Sequence, residues 1–128
     1  MISTVVDTAT SRPARGAPDT GNERIAAIDI GSNSIRQIVA DVAPDGSIRV
    51  IDEMKAAPRL GAGLDDAGML SDAAMERAAE SVARMATIAR QLGATRIEAV
   101  ATSAVRDAAN AREFVGRVQH AAKIKLRV

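Results

Sequence analysis

Hydrophobic and polar positions along the chain follow two rhythms, and the switch between them predicts the order of elements. Arg24 to Asp29 is a short apolar run with a charged exit, which predicts a buried strand. Ile35 to Val42 is a second β-rich run. Pro44-Asp45-Gly46 reads as a turn, because proline presets φ and Asp and Gly accept turn conformations. Ser47 to Met54 alternates Ile48, Val50 and a further apolar position with polar residues. That predicts a third strand and an antiparallel meander. Lys55 to Gly68, with Pro58, Gly61, Gly63 and Gly68, predicts a loop. The period then becomes helical. Met75, Ala78, Ala79, Val82, Met85, Ala86, Ala89 and Leu92 share one face, Ser71 or Asp72 is the N-cap, and Gly93 ends the helix. Arg96 to Ala101 predicts a fourth strand. Thr102 to Asp107 predicts the first turns of another helix, Asn110 a cap for the helical segment Ala111 to Ala122, and Ile124 to Val128 the opening of a last strand. No internal repeat is found.

Three antiparallel strands, a helix, a strand, a helical region and a strand make an α/β plan of the ribonuclease-H-like kind, with right-handed crossovers and the expected mixed sheet order 3-2-1-4-5. In that order strands one and four are parallel neighbours. The turn after strand one and the segment after strand four then emerge at the same carboxyl edge, where ligands of open α/β sheets sit. The first of these segments is built from Gly31, Ser32, Asn33 and Ser34. Small side chains leave backbone amides open to a phosphate, and hydroxyls add donors. Asp29 stands beside them, and a carboxylate next to a polyanion makes sense if a divalent cation bridges the two or if it positions a water. The plain alternative is a β-hairpin whose Gly, Asn and Ser supply turn geometry alone.

Composition narrows the choices. The chain has 128 residues, enough for one domain or a piece of one, and is 47% hydrophobic. Phe114 is its one aromatic, so the core relies on Ala, Val, Ile, Leu and Met. A net charge of +1 argues against binding duplex nucleic acid through overall charge. Cysteine is absent, which excludes disulfides and thiol chemistry. His120, the one histidine, has no neighbouring partners for a metal and reads as a solvated helix-end residue. No apolar run approaches the roughly 20 residues that span a bilayer, so no membrane role is expected. Met1 to Asn22 lacks an apolar signal region and reads as a disordered leader ahead of a domain over 23–128. A cytoplasmic location is expected.

Three segments carry a resemblance to a known family. They are Ile28-Asp29-Ile30-Gly31-Ser32-Asn33-Ser34-Ile35-Arg36, then Arg59-Leu60-Gly61-Ala62-Gly63-Leu64 with Gly68-Met69-Leu70-Ser71, and Ala101-Thr102-Ser103-Ala104-Val105-Arg106-Asp107-Ala108-Ala109-Asn110. In this order and spacing the chain resembles the exopolyphosphatases and guanosine pentaphosphate phosphohydrolases, within the actin-like ATPase superfamily. The resemblance covers nearly all of Arg24 to Val128. It implies hydrolysis of a terminal phosphoanhydride in polyphosphate or guanosine pentaphosphate, with magnesium as cofactor and a homodimeric full-length parent. It implies phosphate contacts from Gly31, Ser32, Asn33, Ser34, Arg36, Thr102, Ser103 and Arg106, and a magnesium-water shell oriented by Asp29.

Each assignment has a bland counterpart. Arg106 can be a solvated helix residue, Arg36 a residue on the exposed face of strand two, Thr102 a helix cap, and Arg59 a pin for its own loop. The resemblance also implies what is missing. The family's catalytic glutamate follows the strand at which this chain stops, as do the second phosphate loop and the second domain. Glu98 and Glu113 do not match that motif. The chain is therefore expected to be a C-terminally truncated part of the first domain, with no catalytic residue of its own and little activity alone. Two other readings stand beside this one. One is a non-catalytic phosphate- or nucleotide-binding module; the other is a kinase of the same superfamily, using Asp29-Ile30-Gly31 for ATP.

Overall fold

The computed structural model describes residues 16–60, 68–102 and 104–128. Of the expected leader, residues 1–15 lie outside the described residues, as do Gly61, Gly63 and Ser103. Residues 16–22 approach the sheet through a turn in which the Asn22 amide donates to the Asp19 carbonyl at 2.9 Å. The elements that follow are β1 (Glu23–Ile30), β2 (Ile35–Val42), β3 (Ile48–Ala56), α1 (Asp72–Gln91), β4 (Arg96–Ala101), α2 (Ala104–Asp107), α3 (Ala111–Ala122) and β5 (Leu126–Arg127). The sheet order is β3-β2-β1-β4-β5, as the alternation of strands and crossovers predicts. β1 is antiparallel to β2, from Glu23 opposite Val42 to Ile30 opposite Ile35. It is parallel to β4, from Ile25 beside Arg96 to Ile30 beside Ala101.

One face of the sheet carries the core. Ile28, Ile30 and Ile35 pack with Met75, Ala78, Val82 and Met85 of α1 and with Phe114 and Val118 of α3. Alanines at 74, 78 and 86 are fully buried; with no side chain beyond Cβ they let α1 lie close to the strands, at the cost of little apolar area per residue. Ser71 is the N-cap, its hydroxyl accepting from the Ala74 amide at 3.0 Å. Gly93 takes φ +93° just beyond the helix, a conformation that favours glycine. On the far side of the sheet Ile25, Ala27, Ile38, Ala40, Val42, Ile48 and Val50 line an open apolar hollow of about 320 Å³.

The predicted alternation of β3 fails at one point. The register slips between Val39 and Ala40, which face Asp52 and Val50 respectively. Ile51 is the extra residue of a β-bulge, and it turns into the core beside Ala26, Val39 and Ala89. Beyond the bulge the open face carries Glu53 and Lys55, not the even-numbered positions that Ile48 and Val50 imply.

Asn110 corrects another expectation. It holds the N-cap position of α3, but its side chain makes no cap hydrogen bond. Its amide reaches back across the molecule instead: Oδ1 accepts from the Leu70 amide at 2.8 Å and Nδ2 donates to the Leu70 carbonyl at 3.0 Å. The neighbouring Ala109 amide donates to Gly68 O at 2.9 Å. The side chain thus mimics a strand partner for the segment entering α1. β5 is shorter than the expected Ile124 to Val128, and the Leu126 amide is taken by Gln119 Oε1 at 3.0 Å.

Candidate functional site

The β1–β2 connection is a hairpin, so the turn reading of Gly31 to Ser34 holds as geometry. The Gly31 amide donates to the Ser34 carbonyl at 3.0 Å. A Cβ on Gly31 would stand 3.3 Å from that same oxygen, a tight contact that the turn would have to ease by a few tenths of an ångström. Among the described residues the amides of Ser32, Asn33 and Ser34 have no backbone acceptor. Three amides without a backbone acceptor, beside two hydroxyls, are chemistry suited to an anion.

The second segment is joined to the first directly. The Thr102 amide donates to the Ile30 carbonyl at 3.1 Å, which fixes the residue after β4 to the residue before the turn. Thr102 itself is exposed, and its carbonyl rather than its hydroxyl accepts from the Val105 amide at 3.1 Å. Val105 is fully buried in the core, and this anchor leaves Arg106 outward with its side chain 63% exposed. The described partner of Arg106 is its neighbour Asp107 at 3.7 Å, itself 77% exposed. A solvated pair of that kind holds the guanidinium only weakly.

Asp29 lies on the open face of β1, directly opposite Arg36 of β2 and beside Val100 of β4. These three line a hollow of about 280 Å³ with Ala27, Ile38 and Glu98. Asp29 and Arg36 are both exposed, and among the described residues neither makes an ion pair, although the register sets them face to face. Arg36 is thus on the exposed face of β2, and that face is a wall of the hollow. Arg59 is exposed and takes φ +56°, left-handed for a non-glycine residue. The arginine that reaches its loop is a different one, Arg77, which donates to Pro58 O at 3.3 Å.

Glu98 and Glu113, the two glutamates singled out in the sequence, face arginines. Glu98 faces Arg96 at 3.6 Å and Arg127 at 3.4 Å, and Glu113 pairs with Arg117 at 2.9 Å. His120 is exposed in the last turn of α3. Among the described residues no group of three or more His, Cys, Asp or Glu could hold a metal by itself. An exposed, hard carboxylate such as Asp29 fits magnesium, which keeps most of its waters and contacts few carboxylates directly. Lys55 escaped the sequence reading. It stands opposite Arg36 on β3, and the bulge hides that placement from simple alternation.

Residues 38–128 match the Ppx/GppA phosphatase family. The chain is also similar to solved structures. It is 32% identical to the Aquifex aeolicus member of the Ppx/GppA family, with a TM-score of 0.77, covering 84% of this chain and 35% of that one. It is 31% identical to an exopolyphosphatase-like protein, with a TM-score of 0.77, covering 85% of this chain and 33% of that one. With an exopolyphosphatase from Cytophaga hutchinsonii the identity is 27% and the TM-score 0.75, covering 81% of this chain and 33% of that one. The chain thus spans about a third of the length of these relatives. With a family match over most of its length and a sheet superposing on solved members, the chain belongs to the Ppx/GppA phosphatase family.

Proposed function

We propose that the chain supplies the first phosphate-holding half of an enzyme that hydrolyses the terminal phosphoanhydride of polyphosphate or guanosine pentaphosphate. The observation that carries the reading is the Thr102–Ile30 hydrogen bond, which brings the Gly31–Ser34 turn and the Arg106 segment to one rim. In this reading the amides and hydroxyls of Gly31, Ser32, Asn33 and Ser34 hold the oxygens of the terminal phosphate. Thr102 adds a donor from the β4 side. Arg106 turns its guanidinium to the charge that builds on the transferring group, and Arg36 meets the phosphate behind it. Asp29 orients the water shell of a magnesium ion. When bound, that ion would neutralise oxygens of the terminal phosphate and hold it in line. A homodimeric, cytoplasmic parent enzyme belongs to the same proposal.

A phosphate gripped from one side lacks a base for the attacking water and an opposing wall, which supply much of the positioning and electrostatic stabilisation in phosphoryl transfer. Glu98 lies in a strand facing Arg96 and Arg127, and Glu113 lies in a helix beside Arg117, so neither stands at the rim to serve as that base. The chain alone is therefore expected to bind and not to turn over. Incubated with magnesium and either substrate, it should retain polyphosphate or guanosine pentaphosphate in an equilibrium-binding assay. It should release no phosphate above a no-protein control. Turnover would overturn the assignment of a missing base, and absence of binding would overturn the site.

A further inference from the structure

We propose that Lys55 and Arg36 form an additional subsite that takes the inner phosphates of a linear polyphosphate, running across the sheet from the Asp29 turn toward β3. The inference rests on the reading above and narrows its substrate to an unbranched phosphate chain.

Register places the residues. Asp29 is opposite Arg36, and Arg36 is opposite Lys55, so the three stand in one row on the open face, next to the rim. The row covers two strand spacings, about 10 Å, which spans several linked phosphates. The Ile51 bulge makes this possible, because without the slip at Val39/Ala40 Lys55 would turn to the helix side. Arg36 and Lys55 also line a shallow hollow of about 200 Å³ with Gln37, Ile38, Glu53 and Met54.

Charge gives an independent argument. Like charges directly opposite on neighbouring strands are destabilising, and here two cations face each other. Among the described residues neither forms an ion pair, although Asp29 lies in the same row and Glu53 one row behind. Glu53, opposite Ile38, stands one row farther from the rim on the same face. A polyanion laid along the row adds negative charge against Lys55, which has no carboxylate opposite it.

The row offers charge to a linear anion and no aromatic platform to a base, because Phe114, the one aromatic of the chain, is fully buried in the core on the other side of the sheet.

The test measures binding of the 128-residue chain to pyrophosphate and to long-chain polyphosphate, in magnesium buffer at several salt concentrations. The variants are Lys55→Gln, Arg106→Gln, and Arg84→Gln on the exposed side of α1 as a charge control. Lys55→Gln should weaken long-chain binding by roughly three- to tenfold. It should lower the slope of log K against log salt by about one, and leave pyrophosphate affinity unchanged. Arg84→Gln should change nothing. Lys55→Gln that binds long chains like the unsubstituted protein, or that loses both ligands equally, overturns the subsite. If pyrophosphate binds and responds to Arg106→Gln while Lys55→Gln is silent, the subsite alone fails. If neither ligand binds, the rim reading fails and the subsite with it.

Discussion

Arg24 and Asp41 show how a single residue's role depends on partners far away in the chain. Both side chains are buried, and the guanidinium donates to the two carboxylate oxygens at 2.7 and 2.9 Å. It also donates to the Leu92 carbonyl at 2.8 Å, closing the end of α1, and to the carbonyl of Gly16. Removing one partner strands the other charge in the interior. Asp41→Asn is expected to lower unfolding free energy by about 3–5 kcal/mol, read from urea denaturation. A loss within roughly 0.5 kcal/mol, the range of an ordinary surface change, would show that the pair is solvated. Asp45 is a smaller case. The Ser47 hydroxyl and amide donate to its Oδ1 at 2.5 and 2.9 Å, and these bonds hold its pKa below the ordinary 3.8. A depressed folded value means the contribution to stability is present above pH 3.8 and is lost as pH falls through the folded value. Ser47→Ala should return the Asp45 titration, followed by NMR, toward 3.8; an unmoved curve would remove the Ser47 hydroxyl as its leading cause. The turn around Asp45 was legible from Pro-Asp-Gly. The Arg24–Asp41 pair was not, because its members lie 17 residues apart and meet only through strand register.

At the scale of elements, local chemistry told more than expected in some places and misled in others. Ser71 as a cap and Gly93 as a stop follow from residue type, since few other residues satisfy the free amides or accept the left-handed turn. Asn110 misled because a capping residue and a backbone mimic look alike in sequence; only tertiary contact decides which bonds its amide makes. Its two bonds to Leu70 tie the entrance of α1 to the turn after α2, close behind Arg106. Asn110→Ala is expected to cost about 1–3 kcal/mol and to speed hydrogen exchange at the Leu70 and Ala109 amides. Unchanged exchange at both would contradict the tether. The Ile51 bulge was invisible for a related reason. Val50 and Ile51 are both apolar and both buried, so the sequence there gives no sign of which one is extra.

At the scale of the molecule, among the described residues the helices all pack on one face of the sheet. Strand order was readable, because three alternating runs followed by two helix–strand crossovers allow few topologies. The meeting of two polar segments at one rim follows from that order. The open face was partly readable: strands buried on both sides are apolar at nearly every position, and β2 and β3 are not. Ile48 is 62% exposed beside the hollow formed by Ile25, Ala40, Val42 and Val50. Apolar surface of this kind drives association, so light scattering at rising concentration should reveal self-association of the 128-residue chain. Ile48→Lys should reduce it, and equal scattering by both proteins would place the sticky surface elsewhere.

The central claim is that one anion is held by both rim segments together. Amide NMR shifts of the chain, titrated with pyrophosphate and magnesium, test it most directly. The account predicts that amides from Gly31 to Ser34 and those of Thr102 and Arg106 move together along one saturation curve, and that Arg106→Gln weakens the whole curve by about tenfold. Movement of one segment without the other, or two curves with different midpoints, would contradict it.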